Sequence, residues 1–284
     1  MKNIIVTFLV LSLALFAAGC GQKPQVEKQG QAPGNQQEPA KQIVLKVGAT
    51  PVPHAEILRA AVPLLEKKGI KLEIQEFTDY ATPNKALAEG SLDANYFQHV
   101  PYLEDFAKAN NLNLIWTVKV HFEPLGVYSQ KIKALSELKD GASIAVPNDA
   151  TNEARALLLL QDNGLIKLKA DAGMKATPKD IVENKKNLKI QELEAAQIPR
   201  SLQDVDAAVI NANFALDAKL NPAKDALVAE KKGSLAADTY GNIVAIRKGD
   251  ENRPEIKALN EVLTSPEIKK FIEDKYQGAV IPVF

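Results

Sequence analysis

The chain has 284 residues and carries 35 basic and 35 acidic side chains, so its formal net charge at neutral pH is zero. This balance lacks the excess of positive charge that marks nucleic-acid-binding proteins, and we predict no nucleic-acid partner. A single cysteine excludes a disulfide within the chain, so its stability must come from packing.

The first twenty residues have the pattern of an export signal. Lys2 supplies a positive charge, residues 4–18 are almost wholly apolar, and two alanines and a glycine stand directly before Cys20. The apolar run is too short for a spanning helix, which needs about 20 residues. Small residues before a cysteine resemble the bacterial lipobox, whose cysteine is lipidated and becomes the first residue of the mature chain. We predict a signal peptide over residues 1–19 and lipidation of Cys20; the alternative is a signal peptide with an unmodified cysteine.

The segment that follows has the composition of a tether. Residues 21–42 contain seven Gln, three Pro and three Gly, with Val26 as the only large apolar side chain. Such a segment cannot bury enough apolar surface to offset its ordering entropy, so we predict that it is disordered. As a flexible coil it would span about 26 Å. Because a single lipid chain binds membranes only reversibly, stable anchoring implies more than one acyl chain on Cys20.

From residue 43 onward, strand and helix patterns alternate. A strand at 43–47, a helix at 55–68 and a strand at 72–74 predict a parallel βαβ unit. The pattern continues with a helix between Pro83 and Gly90, strand 92–97, a helix from Pro101, strand 112–120, strand 143–146, helix 151–162, strands 188–193, 206–210 and 243–246, and helices 255–263 and 266–276. This alternation predicts an α/β fold, and about 240 residues suffice for two modest domains.

The polar residues that follow the predicted strands are mainly amides and aromatics. Ligands of open α/β sheets bind beyond the carboxyl ends of the strands. The side chains that stand there include Tyr80, Tyr96, Phe97, His99, Asn148, Arg155, Asn211 and Asn213. This set contains one guanidinium and few carboxylates, so it suits a small zwitterion better than a metal or a sugar phosphate.

Arg155 falls near the start of a predicted helix, where free backbone N–H groups and the helix dipole favour an anion. An arginine there can grip a carboxylate with two hydrogen bonds. The alternative is a solvated arginine, or one paired with Glu153 or Asp149. The aromatic residues have an alternative as well, because aromatics at strand ends are often part of the core.

Metal binding and catalysis have no support in the sequence. A zinc or manganese site would need His54, His99 and His121 to converge with a carboxylate, and their dispersed spacing does not indicate this. G-x-S-x-G, H-E-x-x-H and P-loop motifs are absent from the sequence. We therefore predict no metal, no cofactor and no enzymatic activity.

Four segments resemble the NlpA/MetQ family of methionine-binding lipoproteins that serve ABC importers. They are residues 48–54 (GATPVPH), 77–80 (FTDY), 93–102 (DANYFQHVPY) and 147–152 (PNDATN). Further matches at 208–211 (AVIN) and 240–243 (YGNI) extend the resemblance over nearly the whole chain after residue 45.

The resemblance implies a ligand-binding role for six residues. Arg155 would hold the carboxylate of an amino acid, while Asn211 and Asn242 would orient its backbone groups. Tyr80, Phe97 and His99 would form the side-chain pocket, which suits a thioether because sulfur packs well beside aromatic rings.

The resemblance also implies a type II-like periplasmic-binding-protein fold with two α/β lobes and a ligand cleft between them. One lobe would contain residues 43–127 and 240–284, and the other residues 128–239. The expected ligand is methionine, and the expected partners are the permease and ATPase of an ABC importer and the membrane that holds the lipid anchor. Two alternatives stay open: the same fold binding another amino acid or a short peptide, or a surface lipoprotein or adhesin without a small ligand.

Overall fold

The computed structural model of the chain describes residues 42–231 and 235–284. The predicted signal peptide, Cys20 and residues 21–41 of the predicted tether lie outside the described residues. Within the described part of the chain, no helix combines the length and the apolar character that a membrane span requires.

The strands of the first sheet come from both ends of the described chain. The sheet has the order β13-β4-β12-β3-β1-β2. Its strands are β1 (Ile43–Ala49), β2 (Ile70–Glu76), β3 (Ala94–His99), β4 (Leu114–Phe122), β12 (Gly241–Arg247) and β13 (Ile281–Pro282). The strands β1, β2 and β3 pair in parallel, while β12 runs antiparallel between β3 and β4. The predicted βαβ unit at the start of this sheet is therefore confirmed.

The second sheet is built from one continuous segment and has the order β11-β5-β10-β6-β9. Its strands are β5 (Gly126–Tyr128), β6 (Ser143–Pro147), β9 (Lys189–Leu193), β10 (Ala207–Ile210) and β11 (Val228–Ala229). A separate two-stranded sheet joins β7 (Lys167–Leu168) to β8 (Ile181–Glu183). The chain thus passes from the first sheet to the second between Phe122 and Gly126, close to the predicted lobe boundary.

Helices cover both sheets. They are α1 (Glu56–Glu66), α2 (Thr82–Ala88), α3 (Val100–Ala109), α4 (Ala150–Asp162), α5 (Ile198–Ser201), α6 (Ala212–Asp217), α7 (Leu235–Thr239), α8 (Pro254–Leu263) and α9 (Pro266–Tyr276). Helix α1 presents Ile57, Leu58, Ala61 and Leu65 to the first sheet at the spacing of an amphipathic helix, and Pro63 lies on its exposed side. The α/β layers predicted from the sequence are confirmed.

Each large sheet has its own apolar core. Leu45, Val47 and Val244 pack with α1, α8 and α9 in the first. Ile144 and Val209 pack with α4 in the second, where side chains such as Leu157 are fully buried. Polar side chains between the two cores therefore face each other across a junction instead of being absorbed into one shared core.

Candidate functional site

The six predicted ligand-binding residues all line one cavity between the two sheets. They are Tyr80, Phe97, His99, Arg155, Asn211 and Asn242, and the cavity is also lined by Gln98, Tyr102, Glu123, Asn152, Ala212 and Asn213. The structure thus brings together residues that are up to 162 positions apart in the sequence.

Arg155 is buried, and its partner is not one of the two that the sequence suggested. It lies in the second turn of α4, whose N-cap is Asp149. Its Nε donates to Oε1 of Glu230 over 2.9 Å, and its Nη2 donates both to Oε2 of Glu230 and to the backbone oxygen of Glu123 over 2.8 Å. Burial opposes the charged form, but the Glu230 carboxylate raises the pKa of Arg155 overall.

The guanidinium plane of Arg155 is also held from its faces. The ring centroid of Tyr240 lies 4.3 Å from Cζ and that of Phe122 lies 5.7 Å away, both within cation–π range. Among the described residues, no acceptor takes a hydrogen bond from Nη1. The side chain is therefore fixed in place while one terminal nitrogen keeps its donors.

A hydrogen-bond chain fixes the proton of His99. Nδ1 of His99 accepts the backbone N–H of Tyr102 over 3.2 Å, so the ring proton must be on Nε2, which donates to Oδ1 of Asn152 over 3.1 Å. Asn152 is held in turn by Asp149, with both distances 3.0 Å. Burial, and then the positive charge of Arg155, lower the pKa of His99 to about 3, so the ring is neutral.

Asn211 presents an unpaired acceptor. It follows β10 directly, and its Nδ2 donates to Oδ1 of Asn152 over 2.9 Å. This bond sets the orientation of the amide and leaves Oδ1 buried without a donor within residues 42–231 and 235–284. A buried carbonyl oxygen without a donor is costly, so this position favours a ligand that brings an N–H or O–H group.

Aromatic rings form one side of the cavity. Tyr80 packs against Phe97, Tyr102 and Phe214 with ring centroids 5.9, 5.6 and 4.9 Å apart. Its hydroxyl donates to Oδ1 of Asn213 over 2.5 Å and so joins the first sheet's side of the junction to α6. Phe97 and Tyr80 therefore line the cavity and contribute to packing at once, which combines the two alternatives left open by the sequence.

Strand register explains how a second polar cluster forms beside the cavity. Asn242 on β12 is paired with His99 of β3 on one side and with His121 of β4 on the other. Oδ1 of Asn242 accepts from Nε2 of His54 over 2.9 Å. Glu123 comes directly after β4, and its Oε1 lies 2.7 Å from Nε2 of His121 and 3.2 Å from Nε2 of His54.

The dispersed spacing of the histidines in the sequence did not indicate that they converge. In the structure, two of the three lie beside a carboxylate. His54, His121 and Glu123 are close enough to be metal ligands, whereas His99 belongs to the separate chain described above. A tetrahedral zinc with bonds of 2.0–2.1 Å spaces its ligand atoms roughly 3.3 Å apart, wider than the 2.7 Å between His121 and Glu123. The cluster has the geometry of direct hydrogen bonds.

Burial shifts the pKa of every member of this cluster away from the charged form. It lowers the pKa of His54 to about 4, with the Glu123 charge opposing it, and lowers the pKa of His121 to about 3. Burial also raises the pKa of Glu123, while His54, Arg155 and the backbone N–H of Asn213 act in the opposite direction. Both rings are neutral at physiological pH.

Comparison with known proteins identifies the family of this chain. The model of the family described as NlpA lipoprotein matches residues 45–284. The chain belongs to the NlpA lipoprotein family. The predicted resemblance is therefore confirmed, and so is the prediction of a binding protein instead of an enzyme.

Several curated relatives carry methionine in their names, including these two. The chain is 43% identical over its full length to the methionine-binding lipoprotein MetQ of Bacillus subtilis, covering 99% of that protein. It is 41% identical to the D-methionine-binding lipoprotein MetQ of Salmonella typhimurium, over 96% of this chain and 94% of the relative.

A solved structure supports the same fold. A nutrient-binding protein of Burkholderia cenocepacia, bound to methionine, superposes with a TM-score of 0.81 at 47% identity, over 84% of this chain and 100% of that one. The predicted periplasmic-binding-protein fold is thereby confirmed.

Proposed function

We propose that this NlpA-family protein captures methionine outside the cytoplasm and delivers it to the permease and ATPase of an ABC importer. The proposal rests on two groups that line one cavity: Nη1 of Arg155, which donates no hydrogen bond to the described residues, and the buried Oδ1 of Asn211, which accepts none from them. A free α-amino acid supplies the complementary groups, a carboxylate and an ammonium. The names of the relatives and the methionine in the Burkholderia protein point to methionine among the amino acids.

The carboxylate of the ligand would bind Nη1 of Arg155. Charge-assisted hydrogen bonds from an arginine are roughly twice as strong as neutral ones, and the guanidinium here needs no reorganisation because Glu230 and Tyr240 already hold it. The neutral His99 beside it adds no competing positive charge.

The ammonium group of the ligand would bind acceptors on the opposite side of the cavity. Oδ1 of Asn211 is one, and the carboxylate of Glu123 is a second that also neutralises the charge. Asn242 orients this region through its hydrogen bond with His54. Glu123 thus joins the six residues predicted from the sequence as a ligand contact.

The side chain of methionine would lie against Tyr80, Phe97 and Tyr102. A thioether sulfur packs favourably beside aromatic rings, with a contribution of about 0.3–1.5 kcal/mol. These rings already pack against one another, so they form a rigid apolar surface for the ligand side chain.

Binding would close two lobes, 43–127 with 240–284 and 128–239, around the ligand. His99 donates to Asn152 and Tyr80 donates to Asn213, and each bond joins the side of the first sheet to a helix of the second. A ligand that contacts both sides stabilises the closed arrangement in the same way.

We also propose that Cys20 carries the lipid anchor that holds the protein at the outer face of the membrane. The family and the curated relatives are described as lipoproteins. The tether of residues 21–42 would then separate the folded part from the lipid headgroups.

Isothermal titration on ligand-stripped protein tests the proposal. L-methionine, D-methionine and other amino acids would be titrated separately, and the mass of any small molecule released by denaturing the purified protein would be determined. We expect methionine to bind with one site per chain. Binding of a different amino acid would correct the specificity alone, whereas no binding of any amino acid or short peptide would favour a surface lipoprotein without a small ligand.

A further inference from the structure

Five buried side chains form a continuous network beneath the cavity. Thr50, His54, Tyr96, His121 and Glu123 are each at most 6% exposed. Oγ1 of Thr50 lies 2.7 Å from Nδ1 of His54, and the hydroxyl of Tyr96 is hydrogen-bonded to Nδ1 of His121. Nε2 of His121 is hydrogen-bonded to Oε1 of Glu123 over 2.7 Å, whereas Nε2 of His54 is hydrogen-bonded to Asn242 and lies 3.2 Å from the same oxygen of Glu123. One branch therefore runs from Tyr96 through His121 to Glu123, and the other runs from Thr50 through His54 to Asn242 beside the same carboxylate.

The partners of the ring nitrogens determine where the protons lie. The binding of an ammonium group requires an ionised Glu123, and an ionised carboxylate only accepts hydrogen bonds. Nε2 of His121 must then carry the proton. Nε2 of His54 is in the same position, since its second neighbour, Oδ1 of Asn242 at 2.9 Å, is also an acceptor.

With both protons on Nε2, each Nδ1 has only a lone pair to offer. Nδ1 of His121 must therefore accept the hydroxyl proton of Tyr96, and Nδ1 of His54 must accept that of Thr50. The Tyr96 hydroxyl thus favours the tautomer in which His121 donates to Glu123, and the Thr50 hydroxyl favours the one in which His54 donates to Asn242. In the other tautomer, a ring lone pair would face the carboxylate.

We infer that Tyr96 and Thr50 are positioning residues that, through His121 and His54, hold the Glu123 carboxylate as the acceptor for the ligand's ammonium group. This inference rests on the proposed function, because it assigns a partner to one end of the proposed ligand. A divalent cation held by His54, His121 and Glu123 is a different reading. It would need both Nε2 lone pairs to face the metal, the opposite of the tautomers that these hydrogen bonds select.

The decisive variant is Tyr96→Phe, which keeps the fully buried ring and removes only the hydroxyl. Without that donor, His121 is free to place its proton on Nδ1 and turn a lone pair toward Glu123. We expect the affinity for L-methionine to fall about tenfold, the effect of one impaired hydrogen bond to a charged group. The affinity for 4-(methylthio)butanoate, which lacks the ammonium group, should not change.

Tyr276→Phe is the matched control. It removes a buried tyrosine hydroxyl from the same core, where that hydroxyl donates to Glu56 over 2.6 Å. It should leave both affinities unchanged. Thr50→Val tests the second branch of the network and should reproduce the selective loss seen for Tyr96→Phe.

Nitrogen-15 NMR of the imidazole rings provides the spectroscopic readout. The chain has three histidines, so the ring signals can be assigned by single substitutions. We expect Nε2–H tautomers for His54 and His121 in the wild type, and a shift of His121 toward the Nδ1–H tautomer in Tyr96→Phe. A purely structural role for Tyr96 would lower both affinities together and leave the His121 tautomer in place.

Several outcomes would overturn the inference. Equal loss of both ligands in Tyr96→Phe, no loss of either, or a wild-type Nδ1–H tautomer at His121 would each contradict the positioning role while leaving methionine binding intact. Stoichiometric binding of Zn²⁺ alone, abolished by His121→Gln, would show that the cluster is a metal site. A wild type that binds neither ligand would overturn the proposed function and this inference together.

Discussion

Glu230 holds the guanidinium of Arg155 by two N–H···O bonds, although the two residues are 75 positions apart in the chain. Both side chains are nearly buried, with 4% and 9% of their surface exposed. The guanidinium is therefore held in one position before a ligand binds. The Glu230 carboxylate uses one edge of the guanidinium, so a ligand carboxylate has to approach Nη1.

We predict that Arg155→Ala abolishes methionine binding and also destabilises the protein. Loss of the charge-assisted bonds should weaken binding by several hundred-fold or more. The stranded Glu230 charge should lower the free energy of unfolding by about 3–5 kcal/mol. Calorimetric titration and urea unfolding measure the two effects.

The double variant Arg155→Met with Glu230→Gln separates the effect on methionine binding from the effect on stability. It removes both charges of the pair, so we expect the free energy of unfolding to recover most of the loss. Methionine binding should stay absent, because the donor to the ligand carboxylate is gone. Wild-type affinity in either variant would show that Arg155 does not hold the ligand.

We predict that Phe97→Ala weakens methionine binding about tenfold, less than Arg155→Ala, because it removes packing against the thioether without leaving a charge unpaired. Phe271→Ala is a suitable control, since Phe271 packs against the first core and does not line the cavity. Isothermal titration of both variants should show a loss for Phe97→Ala alone. An equal loss in both would mean that the effect comes from general destabilisation.

The local parts of this fold and site could be predicted from the sequence. Helix 151–162 and strand 206–210 carry clear apolar patterns, and the structure has α4 at Ala150–Asp162 and β10 at Ala207–Ile210. The short strands β5, β11 and β13 were not predicted, because two or three residues are too few to show a period.

The residues that escaped prediction did so for two reasons. Glu230 has no local signal, since its position is meaningful only through its contact with the distant Arg155. Glu123 did have a signal, because it stands at the carboxyl end of β4, the same kind of position that selected His99 and Asn211. The pairing of β12 with β4 sets Asn242 beside His121, and the hydrogen bond between Asn242 and His54 joins the second histidine to them.

We predict that the protein becomes less stable as the pH falls from 6.5 toward 5. Burial lowers the pKa of His54 to about 4 and those of His99 and His121 to about 3, so the unfolded chain binds protons in this range and the folded protein does not. Each histidine then reduces the free energy of unfolding by about 2 kcal/mol at pH 5. Urea unfolding across this range measures the effect.

Glu153 acts in the opposite direction and provides a control for the pH dependence. Burial and the neighbouring Glu192 raise its pKa to about 8, so its contribution to stability is lost as the pH rises through that range. Glu153→Gln removes this opposing contribution and should make the loss toward pH 5 steeper. A free energy of unfolding that is constant between pH 6.5 and 5 in both proteins would contradict the neutral, buried state of the histidines.

We predict that Cys20→Ala prevents lipidation, because the sequence contains no other thiol. In detergent-phase partitioning, the wild type should enter the detergent phase. The variant should stay in the aqueous phase, except for any molecules that keep the apolar signal peptide. Mass spectrometry distinguishes an acylated chain beginning at Cys20 from an unprocessed one. Identical masses and partitioning in the two proteins, apart from the substitution itself, would defeat the lipobox interpretation.

The position of β12 between β3 and β4 has a consequence for the order in which the protein can fold. Synthesis proceeds from the amino end, so all strands of the second sheet are made before β12 (Gly241–Arg247). Until β12 is made, the first sheet lacks an interior strand. The first sheet therefore depends on contacts of long sequence separation, which form slowly. The cavity, which needs Asn242, cannot assemble until about five-sixths of the chain has been synthesised. During synthesis the chain thus stays without its binding site until Asn242 has emerged.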